Sequence, residues 1–485
     1  MRSGLLTTLG AALALAALAA PGTATAGAGM VVGAVEDDAR AASLVEAETR
    51  MGLLRVSGFR AARITSYWQP GRTAPTEAEE RVLENAVAAA ARNGLRLYVT
   101  VMHVNQRTTP LTPEARGEFS SYAAAIARGP GVRHLIVGNE PNLNRFWMPQ
   151  FALDGGNAAA PAYLQLLAET YDALKAVSPS VRVYGGAVSP RGNDRPGGIR
   201  PTHSPTTFIQ GLGVAYRAGG RTLPVMDAFV MHPYGDNSSQ PPSFPHPKST
   251  NITVADYEKL VALLRDAFDG TAQRGSDLPI VYGEYGVESE IPSGKADLYT
   301  GTEPERTRPV SEETQAAYYE QALALAFCQP NVEATLLFLS RDERSRATWQ
   351  SGVYYVDGTP KSSLSRVTDA LDRATGGSIA RCPGLSLTVQ PTFLRFSGRA
   401  AAREGSFRMR LRCNLDCVYR VRLVNAATGR TKAARRGSAD VGELVELDLG
   451  PRRLARGTYR FVLRLQHPVN KAPATFRESK LIRLP

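Results

Sequence analysis

Histidine, cysteine and tryptophan are scarce in this chain, at six, four and three among 485 residues. The four cysteines, Cys328, Cys382, Cys413 and Cys417, have no histidine companion at ligand spacing and no second closely spaced pair, which argues against a structural zinc cluster. No glycine-rich turn follows the first apolar strand, so an open dinucleotide-binding sheet lacks its phosphate cradle. Past the first 28 residues no run is long and apolar enough to cross a bilayer, which leaves no integral membrane association. No nucleic-acid recognition motif is present. No cofactor signature and no metal-ligand set is legible, so the expectation is of an activity that needs neither.

What is present begins with a leader. Arg2, an apolar run from Leu5 to Ala20, Pro21-Gly22 and the small residues Ala24-Thr25-Ala26 have the layout of a secretory signal peptide over residues 1–28. The expected location is extracellular or at the cell wall. Export permits disulfides. Chain proximity favours Cys413 with Cys417 and leaves Cys328 for Cys382 at a domain junction.

Charge is unevenly placed. Residues 381–485 hold 22 Lys+Arg against 7 Asp+Glu, whereas residues 1–380 hold 35 against 38. The basic excess of the tail is mostly arginine. It reads either as a solvated face or as a surface for an anionic cell-wall polymer.

From Met30 onward, short strands rich in Val, Ile, Leu and Tyr alternate with helical stretches. Strands are expected at Met30–Asp38, Ala61–Trp68, Leu95–His103, Val132–Asn142, Val181–Pro190, Met226–Gly235, Leu278–Ser289 and Val332–Ser340. Each is followed by a helical pattern. Eight such units predict a (β/α)8 TIM barrel over residues 29–376. After Gly377 helical periodicity gives way to short alternating strands such as SFRMRLRCN and CVYRVRLVN. These predict a small all-β sandwich over residues 377–485, making two domains after the leader.

Chemistry in such barrels sits at the C-terminal ends of the strands. Strand four ends in Gly138-Asn139-Glu140-Pro141-Asn142, and strand seven in Gly283-Glu284-Tyr285-Gly286. A closed barrel can face these two glutamates across its mouth at about 5 Å, the spacing of a retaining glycosidase. On these residues the chain resembles the clan of retaining (β/α)8 glycoside hydrolases that includes cellulase-type and xylosidase-type families, in a family 5-like or 39-like form.

The resemblance implies Glu140 as acid/base and Glu284 as nucleophile. It implies substrate contacts from Asn139, His103 at the end of strand three, and His232 and Tyr234 at the end of strand six. The arginine that such barrels carry near strand two has no clean counterpart. Arg63 stands early in its strand, which sets its side chain short of the mouth. Trp68, Trp147 and Trp349 all fall in or beside loops on the same face and read as sugar-stacking platforms. Asn142, Asn144, Gln150 and Gln350 offer polar partners from those loops.

The expected function is hydrolysis of O-glycosidic bonds in a poly- or oligosaccharide by double displacement, in a monomeric protein. A catalytically silent carbohydrate-binding barrel and a transglycosylase are the alternatives. Sugar identity, and endo or exo action, are not written in the sequence.

Overall fold

The computed structural model describes residues 30–375, 389, 391–400, 405–413, 417–439, 443–450, 454–466 and 474–484. The expected leader, Cys382 and the boundary expected at 376/377 lie outside the described residues.

Eight parallel strands close into a barrel in chain order, and the last, β8, pairs back to the first, β1. The strands are β1 (Val31–Val35), β2 (Ala61–Trp68), β3 (Arg96–His103), β4 (His134–Val137), β5 (Arg182–Val188), β6 (Ala228–Met231), β7 (Ile280–Tyr285) and β8 (Val332–Leu337). The helices are α1 (Leu44–Val56), α2 (Glu77–Arg92), α3 (Pro113–Arg128), α4 (Ala159–Val177), α5 (Pro205–Ala218), α6 (Tyr257–Phe268), α7 (Glu312–Phe327) and α8 (Leu364–Thr375). Local chemistry starts several of them. Thr76 and Glu79 form a reciprocal capping box at α2, and Thr112, Ser204 and Ser311 cap α3, α5 and α7 through their hydroxyls.

The core has two layers, sorted by strand alternation. Ala61, Tyr98, Ile136, Tyr184, Val230 and Val281 point into the barrel. Ile64, Val99, Leu135, Val183, Phe229 and Ile280 point outward against the helices. Strand parity therefore decides which residues near the strand ends reach the mouth.

Parity is broken once where it matters. Tyr282 and Tyr285 of β7 both lie in the outer layer, although they are three residues apart. On β8 their register partners, Thr335 and Leu337, are two apart. The extra residue is a bulge, a device that re-aims a side chain. With every residue kept but no bulge, the parity of Val281 would send Glu284 outward into the helix layer.

The tail carries two antiparallel sheets. One has the order β13-β10-β9, from β9 (Pro391–Ala400), β10 (Gly405–Cys413) and β13 (Val445–Asp448). The other has the order β12-β11-β14-β15, from β11 (Cys417–Asn425), β12 (Thr431–Ala439), β14 (Gly457–Gln466) and β15 (Thr475–Glu478), with β16 (Ile482–Leu484) also on β14. Phe407, Met409 and Leu411 pack with Val421, Leu423, Phe461 and Leu463 in one core, which is the expected sandwich. Cys413 and Cys417 form the expected disulfide, at the crossover from one sheet to the other.

Candidate active site

Glu140 lies three residues past β4. The backbone reaches it through Gly138 at φ +78°, and Glu140 itself sits at φ +41°. A positive φ on a non-glycine residue carries strain and recurs at functional sites. It is held here because the Glu140 amide donates to the Ala187 carbonyl at 2.8 Å, and Ala187 also has positive φ beside the β5 register shift.

Glu284 comes from the bulge of β7 and is buried. Arg63 donates to its Oε1 at 2.7 Å, and the Tyr234 hydroxyl donates to its Oε2 at 2.8 Å. His232 Nδ1 lies 3.1 Å from Glu140 Oε1 and 3.5 Å from Glu284 Oε2, so one imidazole edge bridges the two carboxylates. One ligand-type atom from each of Glu140, His232 and Glu284 falls within 4.8 Å of the others.

The electrostatics divide the roles. Burial pushes the Glu284 carboxyl up, but nearby His232, the Arg63 guanidinium and the hydrogen bonds from Arg63 and Tyr234 outweigh it. The carboxyl stays below the ordinary glutamate value, hence ionised. Burial, with Glu284 and Glu140 close by, pushes the Tyr234 phenol well above its usual range, so it remains a donor. Gly283 makes room for this arrangement. A Cβ there would lie 2.5 Å from Val230 Cγ1 and 3.2 Å from His232 Nε2.

The expectation for Arg63 is overturned. Ala61 points inward, so Arg63 does too, and its long side chain climbs the barrel. It donates to Thr100 Oγ1 at 2.8 Å, the Gly283 carbonyl at 3.0 Å and Glu284, with Asn139 Oδ1 at 3.4 Å. A charge inside AARITSYW can sit in a barrel only where polar partners await it. That was the available signal. Tyr67 was missed altogether. It shares the parity of Arg63, is partly exposed at the mouth, and has the Arg40 guanidinium 5.5 Å from its ring centre.

Three expected contacts do not reach the mouth. Trp68 lies five residues after Arg63 and so points outward. It is fully buried, edge-on to Phe119 of α3, and its indole N–H donates to the Arg72 carbonyl. His103 shares the outward parity of Val99 and Val101. It is buried against Trp147, bonded to the Phe146 carbonyl, and burial pushes its imidazole down to about 4. Trp147 is buried too, turned edge-on to Tyr163 of α4. These residues are packing groups and offer a ligand no ring face. Asn142, Gln150 and Gln350 are likewise buried and clamp loop backbone.

Trp349 does arrive. It stacks on Tyr234 with ring centres 4.8 Å apart and meets Phe338 edge-on at 5.3 Å. Its loop is stapled by the buried Lys361, which donates to Ser289 Oγ, Asp342 Oδ1 and the Gln350 carbonyl at 2.8, 2.8 and 3.0 Å.

The sequence offered no metal-ligand set, yet Glu140, His232 and Glu284 have the donor atoms for one. The surroundings suit a cation poorly. Arg63 already puts a positive charge 2.7 Å from Glu284, and Tyr234 takes up its other oxygen.

No family model and no curated protein sequence matches this chain. Among solved structures, it is similar to the endo-β-1,4-mannanase of Thermotoga petrophila, at 11% identity over 94% of this chain and 98% of that one, with a TM-score of 0.47. GH5_18 of Streptomyces cattleya, solved with GlcNAc, shares 14% identity over 71% and 80%, with a TM-score of 0.49. A monomeric β-xylosidase of Caulobacter crescentus CB15 shares 14% over 91% and 96%, with a TM-score of 0.43. Likeness at this level carries no function across, and the barrel is established by its own closed strand pairing.

Proposed function

We propose that the barrel is a retaining glycoside hydrolase. The observation that carries this reading is the closeness of the carboxylates, one oxygen of Glu140 and one of Glu284 lying within 4.8 Å of each other. Retaining enzymes hold the pair about 5 Å apart, whereas inverting ones leave roughly 6.5–9.5 Å for a water.

In the first step Glu284, ionised and held by Arg63 and Tyr234, attacks the anomeric carbon. The C–O bond to the leaving group breaks, and Glu140 gives its proton to the departing oxygen. In the second step Glu140 takes a proton from water. The water oxygen then displaces Glu284 and restores the original configuration. His232 orients both carboxylates. Asn139, beside Arg63, is placed for the sugar hydroxyl next to the reacting carbon. Trp349 over Tyr234 is the aromatic wall for a sugar ring. If a sugar hydroxyl replaces the water, the same intermediate transglycosylates. The leader and the reading as a secreted monomer belong to this proposal.

The test is the Glu284→Ala variant with an activated aryl glycoside. Turnover is expected to vanish, and azide is expected to restore it with a glycosyl azide of opposite anomeric configuration. An inverted first product from the unsubstituted protein, followed by NMR, rules the mechanism out.

A further inference from the structure

The sheet β12-β11-β14-β15 buries one face in the sandwich core and leaves the other to solvent. On the solvent face, Arg420 of β11 stands directly opposite Arg436 of β12 on one side and Arg464 of β14 on the other. Arg464 in turn stands opposite Phe476 of β15. Three arginines and an aromatic ring thus form one straight row across four strands. All four are exposed, Phe476 at 57%. The next residue along β11 on this face, Val418, is also exposed, at 43%.

Like charges in directly opposed positions destabilise a sheet. Elsewhere in the sandwich this cost is avoided. On the other sheet Arg410 faces Glu446 and Arg408 faces Asp448, and both form ion pairs, at 2.7 and 3.8 Å. In the arginine row no such partner stands opposite. Among the described residues the acid on this face is Glu478, and it pairs with Arg460 at 3.1 Å. Arg464 donates to the neutral Gln466, and Arg420 and Arg436 form no ion pair among the described residues. The row therefore keeps an uncompensated charge where the same fold shows that compensation is available.

We propose that this row is a binding site for a polyanionic glycan, one whose successive sugars carry carboxylates. Neighbouring strands stand about 4.8 Å apart, so the three guanidinium groups present a line of forked donors about 10 Å long. A chain with regularly repeated carboxylates can engage all three at once. Phe476, at the end of the line, gives a sugar ring an apolar face to lie on. The site is separate from the barrel's carboxylates and serves to hold the protein on an acidic matrix, not to cleave it.

The experiment uses the full chain and polygalacturonate, with affinity electrophoresis at low and high salt. The Arg420→Thr/Arg436→Thr/Arg464→Thr variant is expected to lose about tenfold or more in affinity. Threonine suits an exposed strand and the change relieves like-charge crowding, so folding is expected to survive. The corresponding lysine variant, which keeps charge but loses the fork, is expected to fall between the two. Arg408→Thr/Arg410→Thr removes paired arginines and is expected to bind as the parent does. Turnover of a small soluble glycoside should be the same in all. Equal weakening in the row and the paired-arginine variants would show a mere net-charge effect and overturn the site. Tighter binding to a single-stranded oligonucleotide than to polygalacturonate would overturn the glycan assignment.

Discussion

Replacing Arg63 by methionine keeps a long side chain but removes the cation from beside Glu284. The pair is buried, with side chains 4% and 10% exposed, so water cannot step in to solvate the carboxylate. Breaking a buried pair from one side costs about 3–5 kcal/mol, because the remaining charge is left unpaired. The cost depends on pH. In the parent the folded-state value of Glu284 is depressed, so the pair stabilises the fold above the ordinary glutamate value of about 4.3 and is lost as pH falls through the folded value. The stability deficit of Arg63→Met should therefore be full at pH 7 and shrink on acidification.

Thermal unfolding followed by tryptophan fluorescence isolates the barrel, since Trp68, Trp147 and Trp349 all lie within it. Catalysis gives a second readout. With Arg63 gone, burial raises the carboxyl, so the acid limb of kcat/KM should move to higher pH. A deficit that stays constant from pH 7 to 3, or an acid limb that stays in place, would refute the account of how Glu284 is kept ionised.

Tyr234→Phe removes a donor to a charged acceptor while leaving the ring under Trp349; kcat is expected to fall about tenfold to a hundredfold with KM little changed. Trp349→Ala should raise KM, whereas Trp147→Ala should cost about 3–5 kcal/mol of stability, seen as a lower unfolding temperature. Burial pushes Glu288 up to about 8, so its protonated form is favoured in the fold and stability is lost as pH rises from about 4.3 towards 8. Glu288→Gln escapes that loss, and its unfolding temperature should gain on the parent's as pH rises through this window. Glu140→Gln should slow glycosides with poor leaving groups far more than activated aryl glycosides, by comparative kinetics.

The barrel was legible because eight buried apolar strands alternate with eight helical stretches in a regular order. Glu140 and Glu284 were legible because each stands at the C-terminal end of a hydrophobic strand sequence, LIVGNE and IVYGE. The errors at Trp68, His103 and Arg63 share one cause. Position along a strand does not tell on which side a residue emerges; that depends on parity counted from a residue of known direction. Ala61 supplies that count for Arg63 and Trp68 together, and it sends one inward and the other outward. The same count fails at Glu284, where the bulge between Tyr282 and Tyr285 resets it. Nothing in GEYG announces the bulge. Trp147 lay beyond any such rule, because its burial depends on how the loop after β4 folds back onto Tyr163.

The extra residue in β7 has a consequence for how this barrel can change. Substitutions along the strand alter chemistry one side chain at a time, but a strand that kept every residue and lost the bulge would change the facing of everything after it. Glu284 would swing from the mouth into the helix layer, and Tyr285 would turn towards the substrate. A barrel of normal strand pairing would remain, emptied of one carboxylate. The facing of Glu284 thus depends on how β7 pairs with β8 as much as on residue type. A transplant of strand seven that keeps Gly283 ahead of the glutamate must keep the bulge as well.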